Sequence, residues 1–443
     1  MEFWRTIRPD RNEQKGTIVM RSIQVLVVGG GPSGMMAAIT AAKQGAKVML
    51  LEKKEILGKK ILATGNGKCN FTNVYQDPSC YHLTEDSPAW KALEKFGYRE
   101  AMRFFLDLGI LPHERDGYLY PATGQASSVR NLLEHEVLRS GVSVKTETVV
   151  RSIEPHMSGT GEKDGFVVKT DGEDYLAKKV ILAAGGNAGP AHGSEGDGYR
   201  FLARLGIMVK PPVPALTSCI VYEPFAGKWG GVRTLGEVAA YDEDGTFLGA
   251  DKGELQFVAN GLSGIPVFQI SRFVARSLQD GHQPYLIVDL FPEWTGEQLF
   301  QEIVRRIRKE RNEKPLFRNL LEGMLNSCLI DAMAQKEGIS PDVYVDEIDR
   351  DTWRRITDNW KALRLEVEKV GDFDKAQVTC GGVSIDELNE NFELKKIKGL
   401  YLTGEILDVD AICGGYNLQW AWTSGHIAGE DAGSRFAPMT DFK

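Results

Sequence analysis

Ile-Gln-Val-Leu-Val-Val-Gly-Gly-Gly-Pro-Ser-Gly, residues 23–34, is the stretch of sequence that decides the fold. Its apolar first half, 23–28, is typical of a strand buried in a parallel sheet. An alanine-rich helix is predicted over 35–44, and a second strand over 47–51 ends at Glu52. Strand, glycine-rich turn, helix, strand and acid follow one another within about 30 residues, as in a dinucleotide-binding βαβ unit. We therefore predict an α/β fold built on a Rossmann-type domain.

The glycines of this stretch have the spacing Gly-x-Gly-x-x-Gly, and each predicts a separate task. Gly29 allows the tight turn, Gly31 lets the backbone approach a pyrophosphate, and Gly34 lets the helix pack close to the strand. The helix start at Pro32-Ser33 offers unpaired N–H groups and the positive end of a dipole to the phosphates. The carboxylate of Glu52 is expected to accept hydrogen bonds from ribose hydroxyls.

A second glycine-rich element near the C-terminus favours FAD over NAD. A strand at 399–403 leads into an acid, and a turn at 414–419 opens a helix that runs to about residue 431. The acid can hold a ribityl hydroxyl, and the helix N-terminus can stabilise negative charge on reduced flavin. No His or Cys stands in a flavin-attachment motif, so we expect non-covalent FAD. The contacts predicted from this element are Gly404, Glu405, Gly415, Asn417 and Leu418.

The loop that follows Glu52 is dense in glycine and asparagine between residues 59 and 73. Such a loop brings backbone donors close to a ligand, and its lysines can either neutralise phosphate or be solvated. Cys69 is expected to be a packed thiol beside the cofactor rather than a nucleophile, because the sequence supplies no paired base. For Val150 the alternative is plain strand packing. The cofactor contacts predicted from this loop and from nearby strand ends are Lys53, Lys60, Thr64, Gly65, Gly67, Cys69, Asn70, Val150 and Gly185.

Composition excludes several classes of protein. The 443 residues include 53 Lys and Arg against 61 Asp and Glu, a net charge of −8, so no nucleic-acid partner is expected. The six cysteines lack Cys-x-x-Cys spacing and are typical of reduced thiols in a cytoplasmic protein. The seven histidines lack metal-site spacing, and no apolar run predicts a membrane span. Residues 1–20 have no apolar signal core and are predicted to be a loose N-terminal extension, with Met20 as an alternative start.

The character of the sequence changes twice, which predicts an insertion. Residues 21–206 and 373–443 have the glycine-rich style of the nucleotide-binding domain. Residues 207–253 contain short alternating apolar runs that predict a small β domain. Residues 339–372 return to that domain, with a short helix predicted near 351–361 and an alternating strand at 364–370. Residues 254–338 have mostly helical periodicity. The sequence thus predicts one domain interrupted by a β domain, which is itself interrupted by a helical domain.

From residue 22 to about 432 the chain resembles a family of bacterial three-domain FAD-dependent oxidoreductases. The shared motifs are GGGPSG at 29–34, TGNGKCNFTN at 64–73, ILAAGG at 181–186, GSEGDGY at 193–199, NGLSGIPVFQIS at 260–271, VTCGGV at 378–383 and GEILDVDAICGGYNLQWAWTSG at 404–425. The chain departs from the family pattern at Ala411, where glycine is common, and in the loop at 65–70. The resemblance implies a glutathione-reductase-like FAD domain with inserted β-barrel and helical domains. The family includes aminoacetone oxidases and 3-dehydro-bile acid Δ4,6-reductases, and the resemblance to the latter is closer.

This resemblance implies, as the leading hypothesis, an NAD(P)H-dependent reductase of an enone C=C bond in a small steroid or bile-acid-like substrate. NADH or NADPH would be a transient donor, because the glycines at 185–198 lack the order of a second βαβ fingerprint. The alternatives are an oxidase of a small amine such as aminoacetone, using O2, and a flavin-binding RNA-modifying or regulatory module. Tyr416, in the turn expected to touch the flavin, is the candidate proton donor, with a packed aromatic ring as the alternative.

The substrate is expected between the flavin and the inserted domains, because ligand clefts favour domain junctions. The segment 260–271 suits a wall for an apolar substrate, and a plain helix start is the alternative interpretation. His113, Tyr118 and Tyr120 lie in a polar loop that could face the flavin ring. The sequence leaves the oligomeric state open.

Overall fold

The computed structural model describes residues 21–161, 163–310, 312–434 and 436, and the extension predicted over 1–20 lies outside the described residues. The strands are β1 Arg21–Val28, β2 Val48–Leu51, β3 Thr72–Asn73, β4 Pro112–Arg115, β5 Tyr118–Pro121, β6 Ser143–Lys145, β7 Val150–Met157, β8 Lys163–Thr170, β9 Tyr175–Leu182, β10 Lys210–Ala215, β11 Cys219–Val221, β12 Arg233–Tyr241, β13 Phe247–Val258, β14 Gly261–Ser263, β15 Tyr285–Asp289, β16 Leu363–Val370, β17 Val378–Gly382 and β18 Leu400–Leu402. The helices are α1 Pro32–Lys43, α2 Pro88–Lys95, α3 Tyr98–Asp107, α4 Ala126–Arg139, α5 Asp197–Arg204, α6 Ile265–Gln279, α7 Gly296–Lys309, α8 Phe317–Leu321, α9 Ser327–Glu337, α10 Arg350–Lys361 and α11 Tyr416–Ser434.

A seven-stranded sheet forms the first domain, in the order β6-β2-β1-β9-β8-β7 with β18 paired to β9. Strand β1 lies parallel to β2 and to β9, so Val27 has Leu50 on one side and Ile181 on the other. Since both edges of β1 are paired and its second half is buried, its apolar run has no polar face. The predicted Rossmann-type α/β fold is confirmed.

Helices α1 and α11 cross at very short range against this sheet. Gly425, Gly429 and Gly433 are spaced four residues apart on α11 and form one stripe along the helix. A Cβ atom added at these positions would lie 2.4, 2.5 and 2.6 Å from a carbonyl oxygen of α1. The glycine stripe therefore lets the two backbones touch, and it fixes the start of α1 against the last helix of the chain.

The insertion contains a closed barrel of strands in the order β11-β14-β13-β12-β15-β16. Alternate side chains point into it: Leu255 and Phe257 on β13, and Leu286 and Val288 on β15, are fully buried. Apolar side chains of α7, α8, α9 and α10 belong to the same core. The barrel and the inserted helices are therefore one packed unit.

The structure differs from the limits predicted for the inserted domains in two places. Residues 254–263 and strand β15 belong to the barrel, although they fall in the stretch predicted as helical, because a period of two continues through the end of β13. The short helix predicted near 351–361 is α10, and it packs on α7, β15 and β16. Strand β10 pairs with β17 outside the barrel.

Helix α6 connects the barrel to the Rossmann-type domain. It starts after Gly264, where φ is +99° and an added Cβ would lie 2.6 Å from the carbonyl oxygen of Glu254, so this turn requires glycine. The segment 260–271 is thus a strand, a turn and a helix start. The Arg272 guanidinium donates two hydrogen bonds to Asp410, at 2.8 and 3.0 Å, across the domain junction. Each helix in the described ranges is too short or too polar to cross a lipid bilayer.

Candidate cofactor-binding site

A cleft opens where β1, β2 and β9 end. It runs past the start of α1, along the segment 59–64, to the start of α11. The predicted cofactor contacts that line it are Gly29, Gly31, Pro32, Ser33, Glu52, Lys53, Lys60, Thr64, Val150, Gly185, Glu405, Asn417 and Leu418. Ligands of open α/β sheets bind at this edge, beyond the carboxyl ends of the strands.

The three fingerprint glycines meet different surroundings. Gly29 has φ +105°, and an added Cβ would lie 2.4 Å from the carbonyl oxygen of Ala183, so the turn and the neighbouring strand both require glycine. A Cβ at Gly34 would lie 1.9 Å from the carbonyl oxygen of Gly29, which explains the close helix packing. A Cβ at Gly31 would meet no atom within 4 Å, because this position faces the cleft. Gly31 therefore leaves room for a ligand rather than for the protein.

Glu52 joins the phosphate-binding turn to the second strand. Its Oε2 accepts a hydrogen bond from the N–H of Gly30 at 2.6 Å, and its Oε1 accepts one from the N–H of Lys54 at 2.8 Å. Burial raises the pKa of this carboxyl, and the backbone hydrogen bonds oppose the rise. An ionised carboxylate has about four lone-pair sites, so two acceptor positions remain for ribose hydroxyls.

The lysines at the cleft are ion-paired. The Nζ of Lys53 lies 2.5 Å from Asp197, and the Nζ of Lys60 lies 2.6 Å from Glu405. Lys59 pairs with Glu55 at 2.8 Å. The sequence allows two interpretations of Lys60, a phosphate ligand or a solvated lysine. In the structure, Lys60 instead forms an ion pair with Glu405 on the cleft wall. Acidic side chains compensate most of the positive charge here.

Glu405 lies between two separate segments of the cleft. Its Oε1 accepts a hydrogen bond from the N–H of Thr379 at 2.9 Å, and its Oε2 pairs with Lys60. The amide of Asn417 is similarly occupied: it accepts from the N–H of Ala411 at 3.0 Å and donates to the carbonyl of the same residue at 2.9 Å. The start of α11 is therefore held in place on the cleft wall by its own side chain.

Several predicted contacts lie behind or beside the cleft lining: Gly34, Gly65, Gly67, Cys69, Asn70, Gly404 and Gly415. Burial raises the pKa of Cys69 to about 12, as expected for a packed thiol. A Cβ at Gly404 would lie 2.5 Å from the Oγ of Ser33, so this glycine serves close packing. The Oδ1 of Asn70 is buried without a hydrogen-bond partner among the described residues, and a Cβ at Gly415 would lie 2.7 Å from it. The loop after Glu52 and the turn before α11 thus meet at this unsatisfied oxygen.

Tyr416 is packed rather than placed on the cleft wall. Its side chain is 4% exposed, and its ring meets that of Tyr81 edge-on with 5.5 Å between centroids. Burial and a hydrogen bond to the Cys80 thiol raise the pKa of its phenol. This environment is the packed-aromatic alternative that the sequence left open.

His192 is a cleft residue that the sequence analysis missed. Its Nδ1 is buried and has no hydrogen-bond partner among the described residues. Burial lowers the pKa of its imidazole, and the nearby charges of Lys60, Lys59 and Lys54 lower it further. A histidine inside the glycine-rich run after a central strand was the signal available. Other lining residues that were missed are Thr148, Val149, Ala184, Ser194, Asp197, Phe201, Gln377, Val378, Val409, Trp420 and Ala421.

A second group of polar side chains lies at the domain junction. Gly414 separates Tyr118 from Tyr416, since a Cβ at Gly414 would lie 3.2 Å from the ring of the former and 2.8 Å from that of the latter. Burial raises the pKa of Tyr118, and Cys413 and Asp251 are among the neighbours that raise it further. Burial also raises the pKa of Asp251, which comes from barrel strand β13. The FAD domain and the barrel both contribute to this group.

Cys380, Asp408 and Asp410 lie close enough together to resemble a metal site. Arg272 already occupies Asp410 with two hydrogen bonds, and the Nζ of Lys210 lies 3.1 Å from Asp408. The acidic charge of this group is therefore balanced by basic side chains, as at a structural junction.

The cleft fits FAD. The open space beside Gly31 and the start of α1, which has no side-chain cap, suit the diphosphate, and Glu52 suits a ribose. Glu405 and Asn417, from the second glycine-rich element, line the far end of the same cleft. The two sequence elements that predict FAD are thus brought together in one site.

Known proteins resemble this chain over nearly its whole length. It is 41% identical over 416 residues to the 3-dehydro-bile acid delta(4,6)-reductase of Clostridium scindens, covering 92% of this chain and 98% of that one. It is 28% identical over 419 residues to the ribosomal RNA dihydrouridine synthase of Escherichia coli, covering 93% and 98%. Among solved structures, the 3-ketosteroid delta1-dehydrogenase of Sterolibacterium denitrificans matches 94% of this chain and 100% of its own, with 14% identity and a TM-score of 0.47.

The profile described as "HI0933-like protein Rossmann domain" matches residues 23–431, which include the FAD domain and the whole insertion. The bacterial flavoprotein resemblance predicted from the motifs is confirmed. The chain belongs to the HI0933-like family.

Proposed function

We propose that this protein is an FAD-dependent oxidoreductase that reduces the C=C bond of an enone in a steroid or bile-acid-like substrate, with electrons from NADH or NADPH. The observation that carries the proposal is the 41% identity to the Clostridium scindens reductase over 98% of that enzyme. Bound in the cleft, FAD would supply the two-electron donor that such a reduction requires.

NADH or NADPH is proposed as a transient donor. The glycines at 185–198 follow β9 but lead through short turns into α5, which differs from the strand, glycine turn, helix and strand of a nucleotide fold. The βαβ fingerprint at 23–52 is fully used by the FAD cleft. A nicotinamide would therefore approach the flavin from the open side and leave before the substrate binds.

The substrate is proposed to bind at the junction where Tyr118, Cys413 and Asp251 meet. Tyr118 is only partly buried, and its hydroxyl makes no hydrogen bond within the described chain. Asp251 forms no ion pair there and accepts only the N–H of Lys252, at 2.9 Å. Because burial raises the pKa of its phenol, Tyr118 is protonated at neutral pH and can donate a proton. Tyr118 is accordingly a better proton donor than the packed Tyr416.

Two other functions serve as alternatives to be tested. The first is oxidation of a small amine such as aminoacetone by O2. The second is RNA modification, for which the Escherichia coli relative is the specific observation. The net charge of −8 is unfavourable for RNA, because phosphate contacts need a basic face. We therefore favour a small-molecule substrate, and we place the enzyme in the cytoplasm because its six cysteines are unpaired.

The test is anaerobic and follows the flavin absorbance of the purified holoenzyme. NADH and NADPH are added separately, and the reduced enzyme is then mixed with a 3-oxo-Δ4 steroid, a 3-oxo-Δ4,6 bile acid, aminoacetone or a ribosomal RNA fragment. We expect one nicotinamide to bleach the flavin, and an enone to restore the oxidised spectrum as one C=C bond is reduced per flavin reoxidised.

Each alternative predicts a different pattern. Bleaching by aminoacetone and recovery with O2 would select the amine oxidase. Recovery only with RNA, accompanied by dihydrouridine, would select the RNA-modifying enzyme. A protein that shows no flavin absorbance after incubation with FAD would contradict the cofactor itself.

A further inference from the structure

The basic side chains that line the cofactor cleft differ in whether the described chain provides them with a partner. Lys53, Lys59 and Lys60 each have a carboxylate within 2.8 Å, so their charges are compensated before any ligand binds. His192 lines the same cleft, but its buried Nδ1 has no partner in the described chain. A buried polar atom without a partner carries a free-energy penalty, which a ligand can remove.

The surroundings of His192 explain why its ring is neutral without a ligand. Its ring edge lies against Gly189, where an added Cβ would be 3.3 Å from the Cδ2, and the side chain of Lys60 lies near the same glycine. Burial lowers the pKa of the imidazole, and Lys60, Lys59 and Lys54 lower it further. Each of those lysines also pairs with an acid, namely Glu405, Glu55 or Glu195.

FAD reverses the sign of the field at this histidine. Its diphosphate brings two negative charges into a cleft whose lysines are already paired with acids. The start of α1 offers N–H groups and a helix dipole, but it carries no full positive charge. A protonated imidazole in the cleft would supply that charge and would also satisfy the unpartnered nitrogen.

We propose that His192 binds the diphosphate of FAD through its Nδ1 and takes up a proton from solvent as the cofactor binds. The proposal rests on the FAD cleft and not on the identity of the substrate. The proton adds to neutral imidazole and gives imidazolium, and no other bond changes.

The direction of the pH dependence follows from linkage. In the free protein the pKa of His192 lies below its ordinary value, and in the complex the diphosphate raises it. FAD affinity is therefore highest below the pKa of the free protein. It falls as pH rises through the pKa of the complex, because binding must then draw the proton from increasingly basic solvent.

The experiment measures FAD binding to apoprotein by calorimetry between about pH 5.5 and 8.5, in two buffers of different ionisation enthalpy. We expect wild-type protein to take up a fraction of a proton, and His192→Asn, which keeps a neutral donor near the Nδ1 position, to take up none. At the acidic end His192→Asn should bind FAD about 10- to 100-fold more weakly, with a smaller loss at the basic end. His135→Asn, on the exposed face of α4, is the matched control and should behave as wild type.

Two results would overturn the proposal: wild-type binding that takes up no proton over this range, or proton uptake that persists unchanged in His192→Asn. A protein that shows the expected uptake but reduces no enone would contradict the function proposed above and still support this inference. Flavin spectra of the saturated variants distinguish lost affinity from a damaged fold, since a folded variant regains the bound spectrum at high FAD concentration.

Discussion

Gly31 is the residue at which ligand binding and folding can be separated. An added Cβ would face open cleft, and the backbone φ of −75° is allowed for any residue. We expect Gly31→Val to fold normally but to lose FAD, because its methyl groups would occupy the space of the diphosphate. The measurement is the flavin-to-protein ratio after saturation, together with the melting temperature of the apoprotein.

Gly34→Val is the matched control for that experiment. Its Cβ would lie 1.9 Å from the carbonyl oxygen of Gly29, so it should destabilise the apoprotein itself. If Gly31→Val retained wild-type flavin occupancy, the diphosphate would not lie beside this turn.

At the residue scale, the sequence predicted which residues lie at the cleft better than it predicted their ion-pair and hydrogen-bond partners. Glu52 and Glu405 both lie on the cleft, because a fingerprint fixes where a strand ends. That Lys60 pairs with Glu405, 345 positions away, depends on how the two halves of the domain come together. His192 was missed for the same reason. Its Nδ1 has no hydrogen-bond partner among the described residues, whereas the lysines of the cleft are ion-paired, and local sequence shows neither fact.

At the element scale, the α1–α11 crossing depends on the glycine stripe of α11. We expect Gly429→Ala to lower the free energy of unfolding by about 1–3 kcal/mol, because the new methyl group would lie 2.5 Å from a backbone oxygen of α1. Chemical denaturation of the apoprotein measures this. Gly227→Ala, which adds a methyl group in open space, should change stability by only a few tenths of a kcal/mol. Equal effects of the two substitutions would show that the crossing tolerates a side chain.

The attachment of helix α6 across the domain junction depends on the ion pair between Arg272 and Asp410. The Asp410 side chain is 3% exposed, so Asp410→Asn would leave a buried guanidinium without its counter-charge. We expect a loss of about 3–5 kcal/mol in unfolding free energy, measured by denaturant titration. Arg233→Met breaks an exposed pair with Glu254 and should cost about 0–1 kcal/mol. A small effect of Asp410→Asn would mean that apolar contacts alone hold the junction.

The strands and helices themselves were predicted unevenly. The run at 23–28 has one interpretation, because a short apolar segment between glycines and charges suits only a buried strand. The predicted β segment ends at residue 253, although strand β13 continues to Val258. Gly249 and Gly253 interrupt the alternation of this strand and resemble turn residues. In the barrel these glycines leave room for Phe273 and Pro266 of α6, whose atoms would lie 3.1 Å from an added Cβ. Packing against helix residues 13 and 24 positions later cannot be seen from local periodicity.

At the scale of the whole molecule, the order of domains could be predicted and their contacts could not. The return of the glycine-rich style after 373 marks the end of an insertion, whatever the inserted chain does. The same pattern does not show that β17 pairs with β10, or that α6 reaches Asp410. Gly264 illustrates the difference: predicted as part of a substrate wall, it serves a turn beside the backbone of Glu254. A bulky residue there would damage the barrel and would not report on the substrate.

The junction is better tested through Tyr118, whose phenol pKa is raised by burial and further by Cys413 of the FAD domain and Asp251 of the barrel. We expect Tyr118→Phe to slow reoxidation of the reduced enzyme by an enone at least about 100-fold, because a positioned proton donor contributes that much. Flavin occupancy and the rate of reduction by NADH or NADPH should stay unchanged, since neither requires this proton. Stopped-flow absorbance separates the two half-reactions.

Tyr416→Phe and Tyr344→Phe complete that experiment. Tyr416 is packed against Tyr81 with its hydroxyl on Cys80, so its phenylalanine variant should lose stability more than reoxidation rate. Tyr344, exposed in the inserted helical region, should have no effect on either half-reaction. If Tyr416→Phe rather than Tyr118→Phe abolished reoxidation, the proton would come from the turn before α11. The substrate would then lie against the FAD domain rather than between it and the barrel.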